Sequence, residues 1–118
     1  PLTDTDLVAV LEQVNLTALC DRWGGLDGGQ AAMSTLSMGE QQRLAFARLL
    51  LHAPRYALLD EATSALDLDN EARLYKALQA TSTTYISVGH RPSLRPYHQQ
   101  VLALTTDQGW QLGAIVDS

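Results

Sequence analysis

The sequence predicts an α/β chain with a helical front end, a parallel strand pair and a C-terminal hairpin. Leu7, Val10, Leu11 and Val14 fall at i, i+3, i+4 and i+7, one apolar stripe at the helical period. Farther on, an apolar strand-like run, a helical run and a β-branched run follow in the order of a parallel pair with a right-handed crossover. Two late strand-like runs then flank Thr105-Thr106-Asp107-Gln108-Gly109, a turn sequence.

The first helix starts where Thr3 and Asp6 make a capping-box-like pair, and acidic residues in its first turn suit the helix dipole. A short second helix through Leu16, Leu19 and Cys20 follows Asn15. Residues 24–29 hold four glycines and read as a surface loop, since no strong strand precedes them as a nucleotide fingerprint requires. The next helix, about 39–52, opens at Ser37 and stops before Pro54, which cannot continue it. Leu44, Phe46, Ala47, Leu50 and Leu51 cover most of its circumference and predict a largely buried helix. Residues 56–59 lack polar alternation, the pattern of a strand covered on both faces. A helix over 67–80 allows an i,i+4 ion pair between Asp69 and Arg73. Residues 83–88 read as a second strand ended by Gly89, and strands over 100–104 and 110–116 form the hairpin.

Composition sets outer limits. At 118 residues and 12.9 kDa the length suits one domain, and 46% hydrophobic residues are enough to bury a core. Thirteen acidic against eight basic residues give a net charge of -5, which argues against nucleic acid as a partner. Cys20 is the only cysteine, excluding an internal disulfide and a Cys-rich zinc site. No apolar run is long enough for a bilayer, and no basic-then-apolar leader is present, so no secretory signal is expected. The only lysine is Lys76, in Leu74-Tyr75-Lys76-Ala77, so these residues hold no Gly-Lys-Ser/Thr phosphate loop.

Three places can carry chemistry. Ser37 and Glu40, three apart before an apolar helix, form a capping box. The same helix start, with a hydroxyl, Gly39 for close approach and unpaired N–H groups, also suits an anion. Asp60 and Glu61 follow directly on the first strand, at the carboxyl end where ligands collect in open α/β sheets. Neighbouring side chains on an extended backbone point apart, so the two carboxylates can divide two tasks. One can hold Mg²⁺, directly or through water, while the other orients and deprotonates a water. His90, just past the second strand, is expected on the same edge, placed for a terminal phosphate. His52, in the last turn of a helix, reads as a partner for the dipole and the orphan carbonyls. His98 has no assigned role.

Taken together, Leu36-Ser37-Met38-Gly39-Glu40-Gln41-Gln42-Arg43 and Tyr56-Ala57-Leu58-Leu59-Asp60-Glu61-Ala62-Thr63-Ser64-Ala65-Leu66-Asp67 resemble the nucleotide-binding domain of ABC transporters. The match takes in the signature motif, the Walker B motif and the D-loop, in family order and spacing. His90 falls at the family's switch histidine. Gly89-His90-Arg91-Pro92-Ser93-Leu94 and Tyr97-His98 are similar to the branch with a fused membrane domain, which includes peroxisomal fatty-acyl half-transporters and bacterial relatives.

The resemblance implies a partial P-loop NTPase-like fold: a helical subdomain over 1–53, then part of the parallel core sheet and the hairpin over 54–118. It implies that Asp60 holds Mg²⁺ through water, that Glu61 is the general base and that His90 contacts the γ-phosphate. Ser37, Gly39 and Glu40 would face the ATP held by a second nucleotide-binding domain, and Asp67 would lie in the loop crossing that dimer interface. Met38 replaces the usual second glycine of the signature and Glu40 its final glutamine, a subfamily variation that sets a negative charge near a phosphate. Implied partners are the N-terminal half of the same domain with its P-loop and a transmembrane domain fused upstream. The implied location is the cytoplasmic face of a bacterial inner membrane or a peroxisomal-type membrane. By itself the chain is expected not to bind ATP tightly or hydrolyse it, and to self-associate through unpaired strands or be partly disordered. Two alternatives are an ABC-type ATPase of DNA repair or chromosome maintenance, and a non-catalytic interaction module.

Overall fold

The computed structural model describes residues 3–22, 36–107 and 109–115, which fall into two compact units divided between Val88 and Gly89. The predicted glycine-rich loop over 24–29 lies outside the described residues.

In the first unit, helix α1 (Asp4–Gln13) starts at a reciprocal cap: Asp6 N–H donates to Thr3 Oγ1 (3.2 Å), and Thr3 N–H donates to Asp6 Oδ2 (3.0 Å). The Thr3 backbone bond, seconded by the Thr3 side chain, holds the Asp6 carboxyl below the usual carboxylate range. The predicted stripe is half-buried along α1 and becomes fully buried at Val14. Asn15 turns the chain at φ 62°, a left-handed conformation its short polar side chain tolerates, into α2 (Thr17–Arg22).

Helix α3 (Met38–His52) ends at Ala53 (φ 44°), whose N–H donates to Leu49 O. Only Phe46 and Ala47 of α3 are fully buried, while Leu44, Leu50 and Leu51 are half-buried. The helix is thus less enclosed than its composition predicts, because the packing partners among the described residues, α1 and α4, line only part of it.

Strand β1 (Tyr56–Asp60), helix α4 (Leu68–Gln79) and strand β2 (Thr84–Val88) form the predicted crossover. The strands pair in parallel with Tyr56 opposite Thr84 and Asp60 opposite Val88. One face carries Ala57, Leu59, Tyr85 and Ser87. Tyr75 of α4 packs there, its ring between Phe46 and Tyr85 at centroid distances of 5.9 Å each and its hydroxyl 2.8 Å from Ser87 Oγ. The other face carries Tyr56, Leu58, Asp60, Thr84, Ile86 and Val88, all exposed, with Leu58 at 72%. The expectation of a strand covered on both faces is therefore corrected: the crossover helix covers one side, and nothing among the described residues of this unit covers the other. Beside that open face, α3 and β1 border a groove of about 390 Å³ lined by Phe46, Leu49, Pro54, Leu58 and Asp60.

Arg73 does not form the anticipated pair with Asp69. Its guanidinium donates to Glu12 O (2.6 Å) and Gln13 O (3.1 Å), and Arg43 donates to Asn15 O (3.0 Å). Two cations thus meet the carbonyls at and just beyond the C-terminus of α1, where the helix dipole is negative.

The second unit holds a 3₁₀ segment (Pro92–Tyr97) and the hairpin of β3 (Gln100–Thr105) and β4 (Gly109–Ala114), antiparallel with Thr105 opposite Gly109. Gly109 adopts φ 77°, which an L side chain resists, so the turn is glycine-dependent. His98, without a role in the sequence, closes the 3₁₀ segment by donating from Nδ1 to Leu94 O (2.7 Å). No helix among the described residues is long and apolar enough to cross a membrane.

Candidate functional site

The start of α3 has the reciprocal cap its spacing predicts. Glu40 N–H donates to Ser37 Oγ (3.1 Å), and Ser37 N–H donates to Glu40 Oε1 (3.0 Å). The first intrahelical bond is Gln41 N–H to Ser37 O (2.9 Å), so the N–H groups of Met38 and Gly39 precede the ladder and point out of the helix end. Ser37 Oγ accepts the cap and still has its proton to donate. An anion can therefore be met by a hydroxyl and backbone N–H groups, with the Glu40 carboxylate close behind.

Asp60 ends β1 on the exposed face. Glu61 continues the ladder by one bond, its N–H donating to Val88 O (2.8 Å), and then turns to φ 52°. The left-handed region costs a non-glycine residue about 1–3 kcal/mol, and such outliers cluster at functional sites. This kink turns the chain between the two carboxylates, so they need not serve one ligand in the same way. Among the described residues no group of three or more His, Cys, Asp or Glu forms a cage for a metal. A single exposed carboxylate suits Mg²⁺, which keeps several waters and takes other ligands from phosphates.

The turn after Glu61 is bound to α3. Gln42 donates from Nε2 to Glu61 O (3.1 Å) and to Ser64 Oγ (3.0 Å), and its Oε1 accepts from Ala65 N–H (2.9 Å). Gly39 sits so close that an added Cβ would lie 3.4 Å from Ala65 O and from Leu66 Cδ2. The helix start and the acidic turn are thereby one local structure. Thr63 donates to Glu71 Oε2 (3.1 Å) in the buried interior behind them, where Glu71 is 1% exposed.

Of the residues singled out in the sequence, Ser37, Gly39, Glu40, Asp60 and Glu61 lie on these joined elements. Asp67 caps α4, its Oδ1 accepting from Asn70 N–H (2.8 Å), so it has a structural task as well as its predicted place in a loop. His52 occupies the last turn of α3 as expected. His90 belongs to the second unit, two residues beyond the end of β2. Sequence reasoning missed Gln42: a glutamine in a Gln-Gln pair carries no local signal of a partner 19 residues away.

Residues 4–64 match the family described as ABC transporter. An uncharacterized ABC transporter ATP-binding protein of Synechocystis is 54% identical over 112 residues, covering 95% of this chain and 17% of the relative. A chloroplastic ABC transporter D family member of Arabidopsis thaliana is 56% identical over 106 residues, 90% of this chain and 15% of the relative. A lysosomal cobalamin transporter of Mus musculus is 47% identical over 114 residues, 95% of this chain and 19% of the relative. The chain spans less than a fifth of the length of each of these relatives.

Proposed function

The chain belongs to the ABC transporter family, and on that footing we propose that it forms part of the ATP-hydrolysing motor of a transporter, coupling ATP binding and hydrolysis to transmembrane movement of a solute. The observation that carries this reading is the pair Asp60-Glu61 at the carboxyl end of a parallel strand, kinked at Glu61 and bonded to the helix that opens with Ser37.

In this reading Asp60 holds Mg²⁺ through water, and the cation, when bound, neutralises phosphate charge. The Glu61 carboxylate orients the attacking water and accepts its proton as it reaches the γ-phosphate. His90 is the residue assigned to contact with the γ-phosphate. Ser37 and Gly39, with Glu40 beside them, face the γ-phosphate of an ATP held by a second nucleotide-binding domain, and Asp67 lies in the segment crossing between the two. Residues 1–53 form the helical part of the domain and 54–118 the strand-bearing part. A transmembrane domain in the same polypeptide is the natural partner, as in the fused branch, and the motor faces the cytoplasm.

The phosphate-cradling loop would come from sequence outside these residues, whose only lysine is Lys76 on α4. The 118-residue chain alone is then expected to show neither micromolar Mg-ATP binding nor turnover. A calorimetric titration that found both would overturn that division of labour. In the intact protein, Glu61→Gln is expected to abolish most hydrolysis while ATP still binds; unchanged turnover would remove Glu61 from the role of base.

A further inference from the structure

We infer that Gln42 is a positioning residue for hydrolysis: it ties the α3 helix start to the Glu61 turn, so that the phosphate-facing helix and the base move as one body. The inference rests on the role proposed above for Glu61 and adds a residue which that role does not require.

Gln42 makes three bonds, and all three end on the turn that carries Glu61. Two are donated from Nε2, to the Glu61 carbonyl (3.1 Å) and to Ser64 Oγ (3.0 Å), and one is accepted by Oε1 from Ala65 N–H (2.9 Å). The Glu61 carbonyl also accepts Ser64 N–H (3.2 Å), while the Glu61 N–H is held by Val88 O (2.8 Å). Glu61 is therefore held on both sides of its Cα, and the bond that reaches it from another helix is the one from Gln42. The left-handed φ of 52° needs such support, because an unsupported glutamate relaxes from that region. A carboxylate placed for general-base catalysis must be held within a few tenths of an ångström, and a shift of about 1 Å costs on the order of 100-fold.

The same side chain sits on α3 five residues after Ser37, and Gly39 lies against Ala65 O at the far end of the turn. Displacement of the helix start by a phosphate is thus transmitted to Glu61 through a hydrogen-bonded amide and a close backbone approach. Ordinary side-chain packing would let helix and turn slide; three directional bonds to one turn do not. Only an uncharged amide of this length fits, since Gln42 both donates and accepts.

The test uses the full-length protein that contains this chain. Gln42→Met keeps the length and removes all three bonds. Gln42→Glu keeps the acceptor for Ala65 N–H and removes the donation to Glu61 O. Both are expected to lower kcat for ATP hydrolysis by about tenfold or more, with KM for ATP within about twofold of the parent. Arg73→Met serves as the control: Arg73 bonds Glu12 O and Gln13 O and does not reach the turn, so it should lower Tm and leave kcat within about twofold. Parental kcat in both Gln42 variants would overturn the inference, and so would a loss of kcat in Arg73→Met equal to that of the Gln42 variants. Glu61→Gln is measured alongside. If it retains full turnover, the assignment of the base has failed; if it is inactive while the Gln42 variants are normal, only the positioning role has failed.

Discussion

Replacing Glu61 separates chemistry from backbone strain, because the two contributions move in opposite directions. Gln is close to isosteric with Glu, and the turn around position 61 is held by main-chain groups: N–H to Val88 O, and C=O accepting from Gln42 and Ser64. Glu61→Gln therefore keeps these main-chain bonds and removes the carboxylate proposed as the proton acceptor. General-base catalysis contributes about 10²–10⁴-fold, so phosphate release at saturating Mg-ATP should fall by at least about 100-fold. At about 1.4 kcal/mol for each factor of ten, that is about 3 kcal/mol or more of lost transition-state stabilisation. Glu61→Gly loses the same carboxylate but also releases the cost of φ 52°, about 1–3 kcal/mol, against about 1 kcal/mol for the added freedom of the unfolded chain. The expected net is a gain of about 1 kcal/mol, or about 2–4 °C in Tm for a domain of 150–250 residues. In the intact protein, in which these assays are made, both variants should bind ATP as the parent does. Calorimetric melting, nucleotide binding and phosphate release on the three proteins check this. Turnover by Glu61→Gln within about threefold of the parent would refute the base assignment, since that loss is far below the range for general-base catalysis. A fall in Tm for Glu61→Gly would refute the strain assignment.

Other expectations concern the elements around that turn. Ser37→Ala removes the α3 cap and should cost about 1 kcal/mol in urea unfolding. In the intact protein it should also weaken ATP-driven association of two nucleotide-binding domains, read by sedimentation. Arg73→Met frees the carbonyls of Glu12 and Gln13 and should cost about 1 kcal/mol, the exposed position keeping the loss small; α1 amides should then exchange hydrogen faster. Burial pushes the Tyr75 hydroxyl above its ordinary range, opposed by the Ser87 bond and reinforced by Tyr85 and Glu71. The unfolded tyrosine loses its proton first, near pH 10, so stability should be steady below that pH and fall as pH rises toward the higher folded pKa. Tyr75→Phe should flatten that alkaline fall while costing about 1 kcal/mol at neutral pH, measured by urea titration across pH 7–11.

The starts of α1, α3 and α4 depend on local sequence. Thr3 with Asp6, Ser37 with Glu40, and Asp67 each act within three residues, and the bonds form as the spacing requires. Strand order and the hairpin were equally accessible, because β-branched runs and turn residues mark them. The covering of β1 was not. An unalternating apolar run is compatible with burial on both faces, yet α4 packs only on the side of Leu59 and Ser87. The ion pair offered to Arg73 was also misplaced. A helix neighbour at i−4 is the best local partner, but the carbonyls at the end of α1 are held still and lie in the helix-dipole field, some 60 residues back in the chain.

The amino-acid sequence alone carries the family and the order of its motifs. Asp60-Glu61 after an apolar strand and Ser37-x-Gly39 at a helix start are chemical facts of the chain, legible because motifs and caps depend on neighbours a few residues apart. How those pieces are joined depends on packing. The left-handed kink at Glu61, the three bonds from Gln42 and the approach of Gly39 to Ala65 all depend on α3 lying beside the turn after β1. Helical and strand periodicity arise from each residue's near neighbours, whereas a hydrogen bond across 19 residues exists only once packing has brought its two ends together.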